Sequence, residues 1–313
     1  MIVKTASGLI FSEFPPRFDD TSRYLVHGAG VTFNVTDEYA EITSANDGTT
    51  YIYSVHDIYP IEDYVVETEI EYEKPTGDYR GQVSLITSYG RPPTAQIAIN
   101  RIDGDSSTLC RRYARINNDD GSTVEMWGSW GELLLRDRVV LRISRKGYVT
   151  RTYFEGIETA STTGARRAVK SLGFMIFKRD GYEFFPLLRI YKLVLMRSEY
   201  IKIRGVPAGY MVKVITDSDI VAMTSNGSDI ELKLPRYPSR ITLEVLDGEG
   251  KVVDSAVFDD VYGGDEFKYY EVPEPISQSV NILLGVAVFA IIITFIAFFF
   301  RYARKSVKSM VLT

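Results

Sequence analysis

Cysteine is nearly absent from this 313-residue chain; Cys110 is the only one. No intramolecular disulfide can form, so the fold has to be held by hydrophobic cores, as domains of ordinary size can be. Histidine is almost as scarce, with only His27 and His56, and neither sits in a catalytic signature. A cysteine or serine nucleophile needs a histidine-type base, so Cys110 reads as an inert strand residue. A phosphate-binding loop and a zinc signature are missing as well. So is any basic excess. The net charge is −5, and four of the 36 Lys and Arg residues lie after Phe300, where there is no acid. Residues 1–280 are left with 32 basic against 41 acidic side chains. A nucleic-acid binder needs a basic footprint, so no nucleic acid is expected as a partner. The opening, MIVKTASGLIFSEFPPRF, has only short apolar pieces, broken by Lys4, Ser7 and Ser12. A secretory signal needs a continuous apolar stretch, and none is seen here.

The most distinctive stretch is Asn281 to Phe300, NILLGVAVFAIIITFIAFFF, which carries no charge. A helix of about 20 apolar residues crosses a hydrocarbon core of ~30 Å, and a strand of that length would be exceptional. A single transmembrane helix is the expectation. Arg301, Arg304, Lys305 and Lys308 follow it, with Glu271 and Glu274 on the other side. Basic residues beside a span favour the cytoplasmic side, and anionic lipids would hold them there. That orientation places residues 1–280 outside the cell or virion. The lack of a visible signal opposes it, because a tail-anchored layout would leave residues 1–280 in the cytosol.

The composition of the whole chain is that of folded protein, 45% hydrophobic and 25% charged. The length suits two domains. Residues 1–197 read as short strands between turn signals, without a convincing helix. VTFNV, AEIT, TYIYSV, QVSLITS, AQIAIN, TLCRRYARI and TVEMW are separated by stretches such as YGRPPT, DGDSS and NNDDGS. YVVETEIEY at 64–72 is the clearest strand. Val66, Thr68, Ile70 and Tyr72 fall on one face, and Glu67, Glu69 and Glu71 on the other, as the period of two requires. The glutamate face is expected to be solvated. Turns fall at Lys146-Gly147 and Glu155-Gly156, where glycine supplies a positive φ. The sum is an all-β sandwich of antiparallel sheets. The 21 tyrosines suit half-buried sheet positions, and exposed ones suit contacts with sugars or proteins.

The run LRISRKGYVTRTYFEGIE, then LGFMIF, then LRIYKLVL resembles the late strands of concanavalin A-like (laminin G-like) jelly rolls. The resemblance covers roughly residues 1–197 and implies a jelly-roll sandwich of a kind commonly used to bind glycans or proteins. A minority of related sandwiches are glycoside hydrolases. In one family of retaining glucanases, acids alternate along a strand as Glu67, Glu69 and Glu71 do here. That family's motif has Asp where Glu69 stands, and neither tryptophan is near in sequence. Retaining hydrolysis needs two carboxyls about 5–5.5 Å apart, which neighbours two residues apart on one strand could approach.

Three further features have a functional and a plain structural reading. Trp127 and Trp130 in WGSW either stack on a sugar or pack a loop onto the sheet. Asp103 with Asp105, and Asn117 to Asp120 less well, offer hard oxygen ligands for Ca2+ or are simply turns. Asn34 and Asn226 head N-glycosylation acceptor sequences, which matter only outside the cell.

Residues 198–271 read as a second, smaller immunoglobulin-like or prealbumin-like sandwich of about seven short strands. It shows no site, and its expected task is to hold the larger domain off the membrane. The expected order is a jelly roll at 1–197, a small sandwich at 198–271, a stalk at 272–280, a span at 281–300 and a basic tail at 301–313. The leading functional expectation is a single-pass surface protein, cellular or viral, that binds a glycan or another protein. One alternative is a structural surface or virion component, self-associating and without a small ligand. The other is a membrane-tethered glycoside hydrolase. No cofactor is expected, with Ca2+ as the one candidate ion.

Overall fold

The computed structural model describes residues 1–55, 63–73, 80–88, 93–101, 110–129, 136–165 and 171–271. Trp130, Asp103, Asp105, the apolar run 281–300 and the tail cations Arg301, Arg304, Lys305 and Lys308 lie outside the described residues. Among the described residues there is no helix, and hence none long and apolar enough to cross a membrane. The chain divides into Ile2–Tyr269 and a second unit of Met1 with Tyr270–Thr313. Within the second unit, the Met1 amino group donates to the Tyr270 carbonyl at 2.6 Å.

The strands of the larger unit, in chain order, begin with β1 (Ile2–Ala6), β2 (Leu9–Glu13), β3 (Tyr24–Gly28), β4 (Val31–Val35), β5 (Ala40–Ala45) and β6 (Gly48–Ser54). They continue with β7 (Tyr64–Glu73), β8 (Gly81–Ser88), β9 (Ala95–Arg101), β10 (Arg111–Asn117), β11 (Thr123–Trp127) and β12 (Arg136–Lys146). Next come β13 (Val149–Phe154), β14 (Ile157–Thr162), β15 (Ser171–Lys178) and β16 (Leu187–Met196). The last seven are β17 (Tyr200–Arg204), β18 (Met211–Ile215), β19 (Ile220–Thr224), β20 (Ile230–Lys233), β21 (Ser239–Leu246), β22 (Val252–Val261) and β23 (Glu266–Tyr269).

Two antiparallel sheets form the larger sandwich. One runs β11-β10-β9-β8-β15-β6-β3; the other runs β14-β13-β12-β7-β16-β5-β4, with β2 also paired to β16. Alternation dictates which side chains meet between them. Ile52, Phe174, Leu85, Ile97 and Ala114 come from the first sheet; Val66, Ile70, Tyr72, Leu141, Ile143, Leu193 and Leu195 come from the second. All are buried in one continuous core. Cys110 lies buried in that core.

The smaller sandwich has two four-stranded sheets, β1-β23-β17-β20 and β19-β18-β21-β22. Its core gathers Ile201, Ile203, Val212, Val214, Leu243, Val245 and Phe267. The first strand departs from the expected partition at 197. β1 pairs with β23, Ile2 opposite Tyr269, and so belongs to the smaller sandwich. Buried Asp265 helps fix it there, accepting from the Gly8 amide at 2.7 Å and pairing with Lys4 at 2.5 Å. Another difference is the parallel pairing of β17 with β23, where the other pairings among the described strands are antiparallel.

Candidate functional site

The register of the seven-stranded sheet fixes which residues share its outer face, away from the core. One row across all seven strands reads His27, Tyr51, Met175, Ser84, Ala98, Tyr113 and Trp127. The row beside it reads Leu25, Tyr53, Gly173, Ile86, Gln96, Arg115 and Glu125. On the other side, Gln82 opposes Asn100, which opposes Arg111. The face is largely polar and aromatic, where the opposite face is apolar and turned into the core.

Its centre is buried and internally bonded. Asn100 donates to the Gln82 side-chain oxygen at 2.6 Å, and Gln82 donates to the Ser84 hydroxyl at 2.5 Å. Its two ends are open. At one end, on β6 and β3, the Tyr51 and Tyr53 rings stack at 5.6 Å with 5° between their planes, beside exposed His27. The other end, on β10 and β11, is the more developed. Trp127 is 37% exposed, and its ring centroid lies 4.1 Å from that of Tyr113. The Arg111 guanidinium lies 4.0 Å over the Trp127 ring, a cation–π contact. Glu125 accepts from the Tyr113 hydroxyl at 3.2 Å and pairs with Arg115 at 3.5 Å. Burial first, then the Glu125 charge, pushes the Tyr113 phenol up to about 12. It therefore stays neutral and keeps its proton for a hydrogen bond.

This arrangement has the parts that sugar recognition uses. An indole and a phenol offer flat apolar surface. Around them lie a guanidinium, a carboxylate and a hydroxyl that can bond sugar hydroxyls. Sequence reading found Trp127 and missed Arg111, Tyr113, Tyr51 and Tyr53. The signal was present, because period two in TYIYSV and RRYARI puts these tyrosines opposite the core residues Ile52 and Ala114.

The glutamates of β7 lie elsewhere and correct the expectation of a solvated face. Glu67 is wholly buried, because the smaller sandwich packs over it. Arg142 Nε donates to Glu67 Oε2 at 2.7 Å, and Lys192 Nζ donates to Oε1 at 2.7 Å. The Tyr237 amide, from the smaller sandwich, donates to the same Oε1 at 3.1 Å. Arg142 also donates to the Pro235 carbonyl at 3.0 Å, and Lys192 to the Tyr237 carbonyl. Burial alone would raise the Glu67 carboxyl. Arg142 and then Lys192 outweigh it and hold the carboxyl below its ordinary value.

Glu69 pairs with Arg138 and, at 3.8 Å, with Lys192. It borders a cleft of about 320 Å³ that Asp37, Glu38 and Arg236 also line. Glu71 accepts from the Tyr191 hydroxyl at 2.5 Å and lies 3.7 Å from Arg189. Both Glu67 oxygens are occupied, so Glu67 and Glu69 do not stand open together to a substrate.

A second junction cleft of about 510 Å³ is lined by Asp63, Arg145, Lys146, Arg151, Arg197 and Glu199, among others. Glu199 is spent on Lys233 at 2.7 Å and on the hydroxyls of Ser144 and Tyr153. The Asn117 to Asp120 turn is closed on itself. Asp120 accepts from the Ser122 amide at 2.8 Å, and Asn118 donates to the Ser122 hydroxyl at 2.9 Å. Among the described residues no group of three or more His, Cys, Asp or Glu could hold a metal ion. Asn34 is exposed on β4, and Asn226 is exposed in a turn where its side chain accepts from the Ser228 amide at 3.0 Å.

No family model matches the chain, and no curated protein does. Solved structures show a faint likeness. The metal-free carbohydrate recognition domain of Emp46p is 10% identical, with 59% of this chain and 95% of that one covered and a TM-score of 0.40. The exoplasmic/lumenal domain of VIP36 bound to Ca2+ and Man3GlcNAc is 11% identical, covering 59% and 88%, at 0.41. A legume lectin-like domain from Entamoeba histolytica is 13% identical, covering 62% and 99%, at 0.42. At TM-scores below 0.5 these likenesses carry no argument about what this chain does.

Proposed function

We propose that this chain is a membrane-anchored surface protein whose larger sandwich binds a glycan at the β10–β11 end of its seven-stranded sheet. One observation carries the reading: an exposed indole, held by Tyr113 and Arg111, on the polar face away from the core. Strand alternation would allow a plain polar face there. It does not require a phenol ring 4.1 Å and a guanidinium 4.0 Å from one indole. Trp127 supplies the stacking surface. Arg111, Arg115 and Glu125 supply the directional bonds. The anchor is the apolar run 281–300, with Arg301, Arg304, Lys305 and Lys308 on the cytoplasmic side and the two sandwiches outside. That side also makes Asn34 and Asn226 available for glycosylation. Asp103 and Asp105 remain the candidate pair for Ca2+.

The test is a glycan array probed with the full chain in neutral detergent, as wild type and as Trp127→Ala. Wild-type protein should retain a defined set of glycans. Removal of the indole should weaken that set by about five- to 150-fold, since a stacking or hot-spot aromatic is worth about 1–3 kcal/mol. A chain that retains no glycan, or whose retention ignores Trp127→Ala, would favour a structural surface component.

A further inference from the structure

The smaller sandwich carries a sheet face with exposed apolar side chains along both flanks. Val212, Val214, Leu243 and Val245 turn into its core, so their neighbours along β18 and β21 turn outward. The outer face of the sheet β19-β18-β21-β22 then has three rows. The first reads Thr224, Met211, Leu246 and Val252; the last reads Ile220, Ile215, Thr242 and Val257. Between them runs Ala222, Lys213, Glu244 and Ser255, with Lys213 and Glu244 paired at 3.5 Å. Ile220 is 58% exposed, Val257 53% and Val252 46%. Exposed apolar side chains thus flank a paired Lys–Glu row, which makes this face a candidate interaction surface.

The rows have a symmetry of their own. A half-turn about a line parallel to the strands, midway between β18 and β21, brings β18 onto β21 and β19 onto β22. Laid face to face in this way, Lys213 of one copy meets Glu244 of the other, twice. Ile220 meets Val257, Met211 meets Leu246, and Ala222 meets Ser255. Apolar side chains meet apolar or small ones, and each charge meets its opposite. We propose that this face docks on the same face of a second copy of the chain, through that two-fold axis. An isologous contact needs a self-complementary patch, and the charge order supplies it. An anionic bilayer surface fits less well, because Asp217, Asp219, Asp247, Glu249 and Asp259 stand around the patch.

Size sets the strength. Four strands at ~4.8 Å spacing and five residues at ~3.3 Å rise give a footprint of roughly 300 Å². A standard interface buries about 800 Å² per partner. The contact is therefore weak for molecules free in solution and is populated when copies share a surface, where effective concentration is high. Only this last point rests on the membrane anchor; the complementarity does not.

The test uses charge reversal in full-length chains reconstituted in neutral vesicles. In a pair of like copies, Lys213→Glu brings four acids together at the axis and Glu244→Lys four bases. Each variant alone should lose crosslinking by at least tenfold, and a mixture of the two should regain it as the mixed pair. Loss of the pair within one copy affects both variants alike, so it does not explain a recovery on mixing. Cys110 is the only native cysteine and is buried, which makes Ile220→Cys and Val257→Cys a second, milder pair of exposed probes. Copies of Ile220→Cys mixed with copies of Val257→Cys should form a disulfide faster than either variant does alone. Equal crosslinking in mixed and unmixed samples, or no recovery with the charge pair, would overturn the proposal. Vesicle flotation reports the anchor independently. If the chain does not float, the same mixed crosslinks are read in concentrated solution.

Discussion

Glu67 and Glu231 are both paired glutamates on strands, and their surroundings give them very different weights. Glu67 is wholly buried and shared by two cations and an amide. Glu231 has a side chain 45% exposed and lies 3.5 Å from Lys202. Removing one member of a buried pair strands the other charge, at about 3–5 kcal/mol, whereas an exposed pair contributes under about 1 kcal/mol. Urea unfolding should show Glu67→Gln destabilised by about 3–5 kcal/mol and Glu231→Gln by less than about 1 kcal/mol. Acid should act at the same junction. Glu67 and Glu199 are both held below the ordinary glutamate value of 4.5, burial being outweighed by Arg142 and Lys192 in the first and by Lys233 in the second. The unfolded chain takes up protons near that value while the folded chain resists them. Their stabilisation is thus complete above it and is lost as the pH falls through the lower folded-state values. Urea midpoints measured down to acid pH should fall in the wild type, and fall less steeply in Glu67→Gln. The alternation of YVVETEIEY showed that Glu67 leaves the jelly-roll core. It did not show what covers it, because Arg142, Lys192 and Tyr237 are distant in sequence and belong to two sandwiches.

At the scale of strands, pattern and packing agreed wherever alternation was clean. β4 matches VTFNV, and β7 holds Val66, Ile70 and Tyr72 in the core as the period of two requires. The turns at Gly147 and Gly156 take the positive φ expected of them, 58° and 76°. β1 was not legible as a strand of the smaller sandwich, because its partner β23 lies at the far end of the folded region and no local signal announces such a pairing. β19 shows little contrast between its faces, since Ile220, Ala222 and Thr224 face outward and Met223 is exposed as well. Packing between strands also makes a prediction. A Cβ at Gly173 in β15 would come within 1.8 Å of the Ile52 carbonyl oxygen of β6, whereas one at Gly164 meets nothing nearer than 3.4 Å, at Asn118. Gly173→Ala should destabilise by about 1–3 kcal/mol or more, as overpacking does, and Gly164→Ala should fall within about 0.5 kcal/mol of wild type. Thermal unfolding of the two variants side by side checks this.

Across the whole molecule, the junction decides whether the two sandwiches behave as one body. Arg142 reaches the Pro235 carbonyl, Lys192 the Tyr237 carbonyl, and the Ser144 and Tyr153 hydroxyls the Glu199 carboxylate, so polar ties cross between the cores. Calorimetry of the wild type should show one cooperative transition for residues 2–269, and Arg142→Ala should split it in two. An unsplit transition in a folded Arg142→Ala chain would mean that apolar contact alone couples the sandwiches. The all-β architecture was readable from strand spacing. The proposed glycan-binding end was readable only at Trp127, since its partners are assembled by lateral register across β10 and β11. The most direct test of that end is photo-crosslinking of a retained glycan to the full chain, with the adducts mapped by mass spectrometry. Adducts on Arg111–Trp127 are the predicted result. Adducts confined to the smaller sandwich, or to the eight-stranded sheet, would contradict the account.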